Sequence, residues 1–332
     1  MKHKVLILGT LGEFTELVRK AKARGYETIV CDGYPDGIAR EYADKDYTIP
    51  VTDIDAIAQM CREESVDGII TSFSDLLLEC MTKIADKAGL PCYLKPEQLP
   101  WYRDKSACRE VLEKLGLPTP GFRKISVDLL RQGTEAQLQE SIAGLEYPLI
   151  SKPLDKYGSR GIFIIHDQSE IRRKALQTAE YTNCQEILIE EYNDGYEFNM
   201  MTWVMDGRVN VVSIADREKT EVEEGMLPIS TRNVYPSRFL TEVEKGATDV
   251  LQRYIGYTGQ TEGALSMQFF WKPGKGIQVC EIAGRFFGYE HELTDMVYGF
   301  QIEELLLDYL YEKESIREMF AKHDLHAPQK YG

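Results

Sequence analysis

The sequence predicts an α/β fold in its N-terminal part and an α+β fold in the remainder. Residues 1–95 alternate apolar strand patterns with amphipathic helix patterns, which is typical of a doubly wound parallel sheet. The pattern changes after residues 103–120, where a helix ends at Gly116 and is followed by Pro118 and Pro120. The chain has 332 residues, enough for two or three domains.

The N-terminal elements follow from periodicity and from the residues that begin and end helices. Short apolar runs bounded by glycine or polar residues indicate strands, and amphipathic stretches indicate helices. Gly25 closes the first helix, and Asp53 is a suitable cap for the second. The predicted elements are strands at 4–9, 27–33 and 67–73 and helices at 13–25 and 53–65.

The C-terminal elements are predicted in the same way. The segment "KPGKG" lies between two apolar runs and is typical of a hairpin turn. The stretch after "EIAGR" is long enough for a closing pair of helices. The predicted elements are helices at 103–116, 135–145, 168–180, 241–256 and 300–313, strands at 147–153, 161–166 and 186–192, a strand-rich stretch at 197–218 and a hairpin at 263–285.

Composition narrows the classes of function. The net charge of −15 argues against a protein that coats nucleic acid, which needs basic surfaces. No apolar stretch reaches the length of a membrane span, and the N-terminal apolar run breaks at Gly9, as a strand would. Seven cysteines without a C-x-x-C pair suit a reducing cytosol. We therefore expect a cytoplasmic protein that binds neither nucleic acid nor membrane.

The segment "ISKPLDKYGSRGIFII" indicates an anion clamp between two strands. A strand delivers Lys152, and a loop with Gly158, Ser159, Arg160 and Gly161 follows. Glycines let main-chain N–H groups approach anionic oxygens, while the lysine and the arginine supply positive charge. The segment lacks the G-x-x-x-x-G-K-[ST] order of a Walker loop. Taken alone, an ordinary hairpin turn explains it equally well.

The segment "EILIEEYNDGYEF" places acids at the end of an apolar strand. Main-chain groups that leave the strand at Glu190, Glu191 and Tyr192 can meet the edge of a base. Glu197 follows and can accept hydrogen bonds from both hydroxyls of a ribose. An acidic loop on an acidic protein would show the same residues, and for this segment taken alone that interpretation is favoured.

The predicted hairpin carries residues that suit a metal ion and a phosphoryl group. Gln268 and Glu281 lie on successive strands, so a turn at "KPGKG" brings their side chains opposite each other. An amide oxygen and a carboxylate can hold Mg²⁺, which prefers oxygen ligands and retains waters. Arg285 follows closely enough to stabilise a transferring phosphoryl group.

Taken together and in this order, these segments resemble the ATP-grasp superfamily. "RDKSACREVLEKLGLPTP" resembles the segment that opens the ATP-grasp region, and Lys105 and Lys152 match its two nucleotide-binding lysines. "YGSRGI" matches the phosphate loop, "EEYNDGYEF" the adenine hinge with the ribose-binding Glu197, and "MQFF…VCEIAGR" the metal-binding strands. The resemblance implies a Rossmann-like pre-ATP-grasp domain at 1–100, a small ATP-grasp subdomain at 101–190 and a large one at 191–332.

The resemblance also implies a function. Similar short carbamoyl-phosphate-synthetase-like proteins and amino-acid ligases activate a carboxylate with ATP as an acylphosphate and join it to an amine. The implied cofactors are ATP and Mg²⁺, with Mn²⁺ as a substitute. The implied partners are a small-molecule carboxylate and a small-molecule amine. A homodimer is compatible with the resemblance, because the first domain often associates in this superfamily.

Further candidate residues lie outside these segments. Arg217 directly follows an apolar strand, and the resemblance places it opposite the γ-phosphate as a second catalytic arginine beside Arg285. Loop charges are also common on solvated surfaces, and a lone histidine is common in cores. The residues predicted to face substrate are Ser72, Ser74, Asp75, Lys219, Arg232 and His291.

Two positions depart from the pattern of the superfamily. Many members have asparagine where this chain has Ala283, and Gln268 stands in place of an acid. Since Mg²⁺ tolerates water as a ligand, we predict a metal site in which one water replaces the missing protein oxygen. The departures leave open a second hypothesis, namely a protein that binds ATP without catalysis.

A third hypothesis is an NAD(P)-dependent oxidoreductase that uses the N-terminal domain. Gly9 and Gly12 follow the first strand, and Asp32 follows the second. However, Thr10 and Leu11 break the G-x-G-x-x-G spacing of the dinucleotide fingerprint. This hypothesis also leaves the motifs after residue 103 without an explanation.

Overall fold

The computed structural model describes residues 2–155, 160–220 and 229–330. Three sheets and the helices that cover them account for these residues. The strands are β1 (Lys4–Leu8), β2 (Glu27–Cys31), β3 (Lys45–Tyr47), β4 (Gly68–Ile70), β5 (Phe122–Ser126), β6 (Leu149–Pro153), β7 (Phe163–Ile165), β8 (Glu186–Glu191), β9 (Tyr196–Met205), β10 (Arg208–Lys219), β11 (Ser230–Val234), β12 (Gly263–Lys272) and β13 (Gly276–Ala283). The helices are α1 (Thr15–Ala23), α2 (Ile54–Glu64), α3 (Asp75–Ala88), α4 (Leu99–Arg103), α5 (Lys105–Lys114), α6 (Val127–Gln132), α7 (Glu135–Ser141), α8 (Ile171–Ala179), α9 (Leu240–Thr258), α10 (His291–Tyr298), α11 (Ile302–Tyr311) and α12 (Lys313–Lys322).

The first sheet is parallel, with the strand order β3-β2-β1-β4. The predicted alternation of parallel strands and helices is confirmed, and Asp53 caps α2 by accepting from Ala56 N at 3.1 Å. The chain leaves β1 at Gly9, whose φ is +118° and where a Cβ would lie 2.5 Å from the Phe14 ring. Only glycine fits that turn. The carboxyl ends of the strands meet at this edge, where ligands of parallel sheets usually bind.

The second sheet is antiparallel, with the order β5-β8-β6-β7. Helices α6 and α8 pack on it around a small apolar core that includes Leu130, Leu138 and Ile171. Because β6 and β8 are neighbours, the residues near their ends face one another across the ladder. Lys152 lies opposite Leu188 and Glu190 lies opposite Ile150, so the side chains of Lys152 and Glu190 are diagonal neighbours on one face of the sheet.

The third sheet has the order β11-β10-β9-β12-β13, and all its neighbouring strands are antiparallel. Helix α9 packs against β10 and β13. The predicted hairpin β12–β13 is confirmed, with Gly274 and Gly276 at positive φ in its turn. Its register sets Gln268 opposite Glu281.

The structure adds elements that were not predicted, of which the helix α3 is the longest, and it refines two predicted regions. The strand-rich stretch at 197–218 is a hairpin of β9 and β10, turned at Asp206 and Gly207, both with positive φ. Three helices, α10 to α12, follow the hairpin β12–β13, where a pair was predicted. The division of the chain at residues 100 and 190 stays a prediction.

Two further expectations concern the chain as a whole. All seven cysteines are free thiols, in agreement with the absence of a disulfide pattern. Within the described ranges, none of the helices combines the length and apolar composition that crossing a membrane requires.

Candidate functional site

Glu190, predicted for the adenine hinge, lies between two cations. It is buried at the end of β8, where its Oε2 accepts from Lys152 Nζ. Its Oε1 lies 2.7 Å from Arg109 Nη2. Burial acts to raise the pKa of Glu190, but the Arg109 guanidinium and the Lys152 ammonium outweigh it and hold that pKa below its ordinary value. The residue is therefore a carboxylate at neutral pH.

Glu197, predicted for the ribose, is the centre of a second cluster on the third sheet. Its Oε1 accepts from Arg217 Nη1 and from Gln268 Nε2, and its Oε2 lies 2.9 Å from Lys219 Nζ. Burial acts to raise the pKa of Glu197, while the Lys219 and Arg217 charges outweigh it and lower that pKa. Four residues predicted for ATP, metal, catalysis and substrate thus meet in one cluster.

Each of these two clusters holds two cations for one carboxylate. Counted over the ion pairs of the described residues alone, each cluster has one more cation than carboxylate, although the chain as a whole carries a net charge of −15. Partly buried positive charge that lacks a full complement of acids favours an anionic ligand. The two clusters lie close to each other, because the charges of Lys152, Arg109, Glu190 and Glu197 all act on the thiol of Cys280 on β13.

The pair predicted for the metal lies across this hairpin. Glu281 on β13 is opposite Gln268 on β12, and both are partly exposed. Since Gln268 directs its Nε2 at Glu197, its Oε1 is the atom left to act as a ligand. Next along the ladder, Ala283 lies opposite Ser266, whose buried hydroxyl has no hydrogen-bond partner among the residues described.

This donor set fits Mg²⁺ only together with further oxygen ligands. Among the described residues, no group of three or more His, Cys, Asp or Glu side chains could hold a metal ion. Mg²⁺ is commonly held by one or two carboxylates together with phosphates of the substrate and water. Glu281 and Gln268 therefore suit an ion that arrives with a nucleotide rather than a permanent structural metal.

Arg285, predicted to meet the phosphoryl group, follows β13 and reaches the N-terminal sheet. Its Nε and Nη2 donate to the two carboxylate oxygens of Asp75 at 2.7 and 2.8 Å, and its Nη1 donates to Phe286 O. Asp75 is the first residue of α3, and Ser74 caps that helix by accepting from Leu77 N. The bidentate pair fixes the plane of the guanidinium. Asp75, predicted to face substrate, thus contacts a predicted catalytic residue.

Among the described residues, the others predicted to bind ATP do not belong to the clusters around Glu190 and Glu197. Lys105 begins α5, which packs against β13. Gly158 and Ser159 lie outside the described residues. Arg160 is exposed, and Gly161 has a φ of +72°, with Tyr181 only 2.6 Å from the position of a Cβ. Within the hinge, the Glu191 carboxylate accepts from the main-chain N–H groups of residues 121 and 146, and Tyr192 N donates to Pro148 O.

The other residues predicted to face substrate are not brought together. The buried hydroxyl of Ser72 has no hydrogen-bond partner within the described ranges, and it lies at the carboxyl edge of the parallel sheet. Arg232 is exposed and pairs with Glu218, away from the Glu197 cluster. His291 is buried against Phe73 and pairs through Nδ1 with Glu303 on α11. Their roles toward substrate stay predictions.

The His291–Glu303 pair predicts a pH dependence of stability. Burial acts to lower the pKa of His291, but the hydrogen bond and charge of Glu303, with Glu292 and Glu13 nearby, outweigh it and raise that pKa. A raised folded-state pKa stabilises the protein fully below pH 6.5, and the stabilisation is lost as pH rises through the folded value. His291→Gln is expected to lower the free energy of unfolding by about 1–3 kcal/mol at pH 6.

Chemical denaturation of both proteins between pH 5.5 and pH 9 measures this effect. The stability difference between wild type and His291→Gln should shrink as the pH rises. His326→Gln is the matched control, because His326 pairs with Glu244 on the surface and is half exposed. A difference that stays constant over the whole range would show that the charge of His291 makes no contribution.

Two residues of the site region were not among the predicted site residues. Arg109 lies on the buried face of α5. Its position in the sequence beside the apolar residues Cys108 and Val111 could have indicated that it is buried. Glu290 is completely buried, and its Oε1 accepts from Asn199 and Asn233 Nδ2 at 2.5 and 2.9 Å. Burial raises the pKa of Glu290. It was visible in the sequence only as a neighbour of His291.

Comparison with known proteins identifies the part of the chain that holds these clusters. Residues 145–292 match the family profile of the ATP-grasp domain. The chain carries an ATP-grasp domain. The matched segment includes Lys152, Glu190, Glu197, Glu281 and Arg285, so the predicted resemblance is confirmed at the level of the domain.

The curated relatives extend the similarity beyond the matched segment. The C-terminal section of the carbamoyl phosphate synthase large chain from Methanopyrus kandleri is 23% identical over 290 residues, covering 82% of this chain and 51% of its own length. The arginine-specific carbamoyl phosphate synthase large chain from Geobacillus stearothermophilus is 25% identical over 307 residues, covering 86% of this chain and 27% of its own. This chain therefore spans about half, or less, of the length of these relatives.

Solved structures show that the fold outside the matched segment is shared as well. Phosphoribosylglycinamide synthetase from Anaerococcus prevotii has a TM-score of 0.74 at 20% identity, covering 92% of this chain and 74% of its own. L-amino acid ligase from Bacillus licheniformis has a TM-score of 0.75 at 19% identity, covering 93% and 74%. The biotin carboxylase domain of 2-oxoglutarate carboxylase from Hydrogenobacter thermophilus, solved with MgADP and bicarbonate, has a TM-score of 0.74 at 19% identity, covering 94% and 70%. The predicted mixed α/β and α+β fold class is thus confirmed, while the assignment of the N-terminal part to a Rossmann-like pre-ATP-grasp domain stays a prediction.

Proposed function

We propose that this chain is an ATP-dependent carboxylate–amine ligase that forms an amide or peptide-like bond on a small acid such as an amino acid. The observation that carries the proposal is the pair of clusters around Glu190 and Glu197, in each of which one carboxylate pairs with two cations. They lie near a carboxylate–amide pair suited to Mg²⁺, within an ATP-grasp domain. The curated relatives and the L-amino acid ligase fold support the same class of reaction.

In this proposal, the carboxylate attacks the γ-phosphorus of ATP, which gives an acylphosphate and releases ADP. The amine then displaces phosphate from the acylphosphate, which gives the amide, inorganic phosphate and a proton. Lys105, Lys152 and the loop with Gly158, Ser159, Arg160 and Gly161 hold the phosphates, and the segment at Glu190, Glu191 and Tyr192 holds the adenine. Glu197 accepts from the ribose. Positioning and charge neutralisation are the main tasks of these residues.

The transfer itself depends on the hairpin. Glu281 and Gln268 would hold Mg²⁺, and the water predicted beside Ala283 would find the Ser266 hydroxyl as a partner. Arg285 and Arg217 would stabilise the charge of the moving phosphoryl group. The homodimer and the cytoplasmic location stay predictions.

Nucleotide binding is the first test. ATP–Mg²⁺ at a hundredfold excess over its Kd is expected to stabilise the protein by about 2.7 kcal/mol in thermal unfolding. NADH and NADPH are the comparison ligands, because the fingerprint at Gly9 is incomplete. Stabilisation by a dinucleotide and not by ATP–Mg²⁺ would contradict the ligase and favour an oxidoreductase.

Turnover is the second test. ADP release measured across a panel of carboxylic acids, amino acids and amines should require both an acid and an amine. Release with an acid and hydroxylamine, which traps acylphosphates as hydroxamates, would support the intermediate. Intact ATP binding with no ADP release on the whole panel would instead favour a protein that binds ATP without catalysis.

A further inference from the structure

Arg109 lies where three parts of the chain meet. It belongs to α5, it contacts β13, and it pairs with Glu190 at the end of β8. We propose that Arg109 is a positioning residue of the nucleotide site, which holds the Glu190 carboxylate on β13 and thereby fixes the ammonium of Lys152. The inference rests on the proposed function, because it assigns to Lys152 a contact with ATP.

The anchor of Arg109 is the main chain of β13. Its Nη1 donates to Val279 O at 2.7 Å and to the Thr119 hydroxyl, and its Nη2 donates to Cys280 O at 3.0 Å. These carbonyls directly precede Glu281, the predicted metal ligand. Arg109 is only 4% exposed, so we expect it to act through the groups that it holds rather than by touching a ligand.

Arg109 influences the position of the Lys152 ammonium through the Glu190 carboxylate, which contacts both residues. Arg109 Nη2 faces one carboxylate oxygen, while the other oxygen accepts from Lys152 Nζ. Both oxygens are thereby used, and the orientation of the carboxylate is fixed from two sides. Lysine is a flexible side chain with a point charge, so the position of its ammonium depends on such a partner.

The chemistry of arginine explains why this residue type is needed. Its planar fork donates in several directions at once, so it can join two carbonyls, a hydroxyl and a carboxylate. A lysine at the same place would retain the charge but could not span β13 and Glu190 with fixed geometry. The two sheets that carry Lys152 and Glu281 would then lose a buried link between the predicted phosphate and metal residues.

A double-mutant cycle tests the inference. The Kd for ATP–Mg²⁺ is measured for wild type, Arg109→Met, Lys152→Gln and the double variant, with ligand-observed NMR so that millimolar values remain measurable. Arg109→Met is expected to weaken binding by about tenfold or more in the wild-type background, as misplaced binding groups do. In the Lys152→Gln background the same change should weaken binding by less than about twofold, because coupled residues are not additive.

Two further variants separate positioning from a loss of structure. Arg172→Met is the matched control, since Arg172 also joins main-chain carbonyls, those of Leu130 and Gly133, but lies away from the two clusters. It should lower the Tm without changing the Kd. Arg109→Lys replaces Arg109→Met in the cycle if the methionine variant does not fold, and is expected to weaken binding by a smaller factor.

The outcomes distinguish this inference from the proposed function. An equal loss of affinity in both backgrounds, or no loss at all, would overturn the positioning role while leaving the ATP site in place. If wild type itself does not bind ATP–Mg²⁺, the proposed function fails, and the inference fails with it.

Discussion

Glu281→Gln is expected to abolish ATP turnover while leaving the fold intact. The amide has nearly the same shape as the carboxylate, but it removes the negative charge that would hold Mg²⁺ opposite Gln268. A metal ion supplies several kcal/mol of transition-state charge stabilisation, so a loss of about a thousandfold or more is expected. Steady-state ADP release gives the turnover, and thermal unfolding checks the fold.

Two measurements make this result specific. Glu318→Gln is the matched control, because Glu318 is exposed on α12, and it should retain full turnover. A titration with Mg²⁺ should show that Glu281→Gln needs a higher metal concentration for whatever activity remains. If Glu281→Gln turns over ATP at the wild-type rate and metal dependence, the metal site does not lie on this hairpin.

The pairing of β12 and β13 as a hairpin could be predicted from the sequence. A β-bulge next to Gln268 shifts the register by one residue, so that Gln268 lies opposite Glu281 and not opposite Cys280, and no local pattern predicted that bulge. The glycine-containing turn between two apolar strands did predict the pairing of β12 with β13. The same holds for the parallel sheet and for the cap at Asp53, since both follow from local patterns. Local chemistry therefore predicted many of the elements and the order of the motifs, but not the helix α3.

The ion pairs of the site could not be predicted from the sequence, because their partners lie far apart along the chain and local patterns do not show which residues pair. Helical periodicity puts Arg109 on a buried face, but the pattern does not say that its acid partner is the hinge residue Glu190. Asp75 and Arg285 are 210 positions apart, and each looked suitable for a different role. Only the packing of the N-terminal sheet on the ATP-grasp domain shows that they contact each other.

The contact between Arg285 and Asp75 predicts a large effect for Arg285→Lys. We expect turnover to fall by about a hundredfold or more, with little change in the Kd for ATP–Mg²⁺. Lysine retains the charge but not the planar fork that donates to both oxygens of Asp75 and stabilises a phosphoryl group. Single-turnover measurements separate the transfer step from binding. Loss of ATP binding with an unchanged transfer rate would show that Arg285 acts on the ground state.

Asp75→Asn then tests what the N-terminal sheet contributes. Asparagine can accept one hydrogen bond from Arg285 but presents an N–H group to the other nitrogen, so the guanidinium loses its fixed plane. If Asp75 orients Arg285, turnover should fall by about tenfold with the fold intact, as expected for a small misplacement of a catalytic group. A rise in turnover would mean the opposite, that the carboxylate withholds Arg285 from the phosphoryl group and must be displaced before transfer. The sign of this one change therefore decides whether the N-terminal sheet orients the catalytic arginine or restrains it.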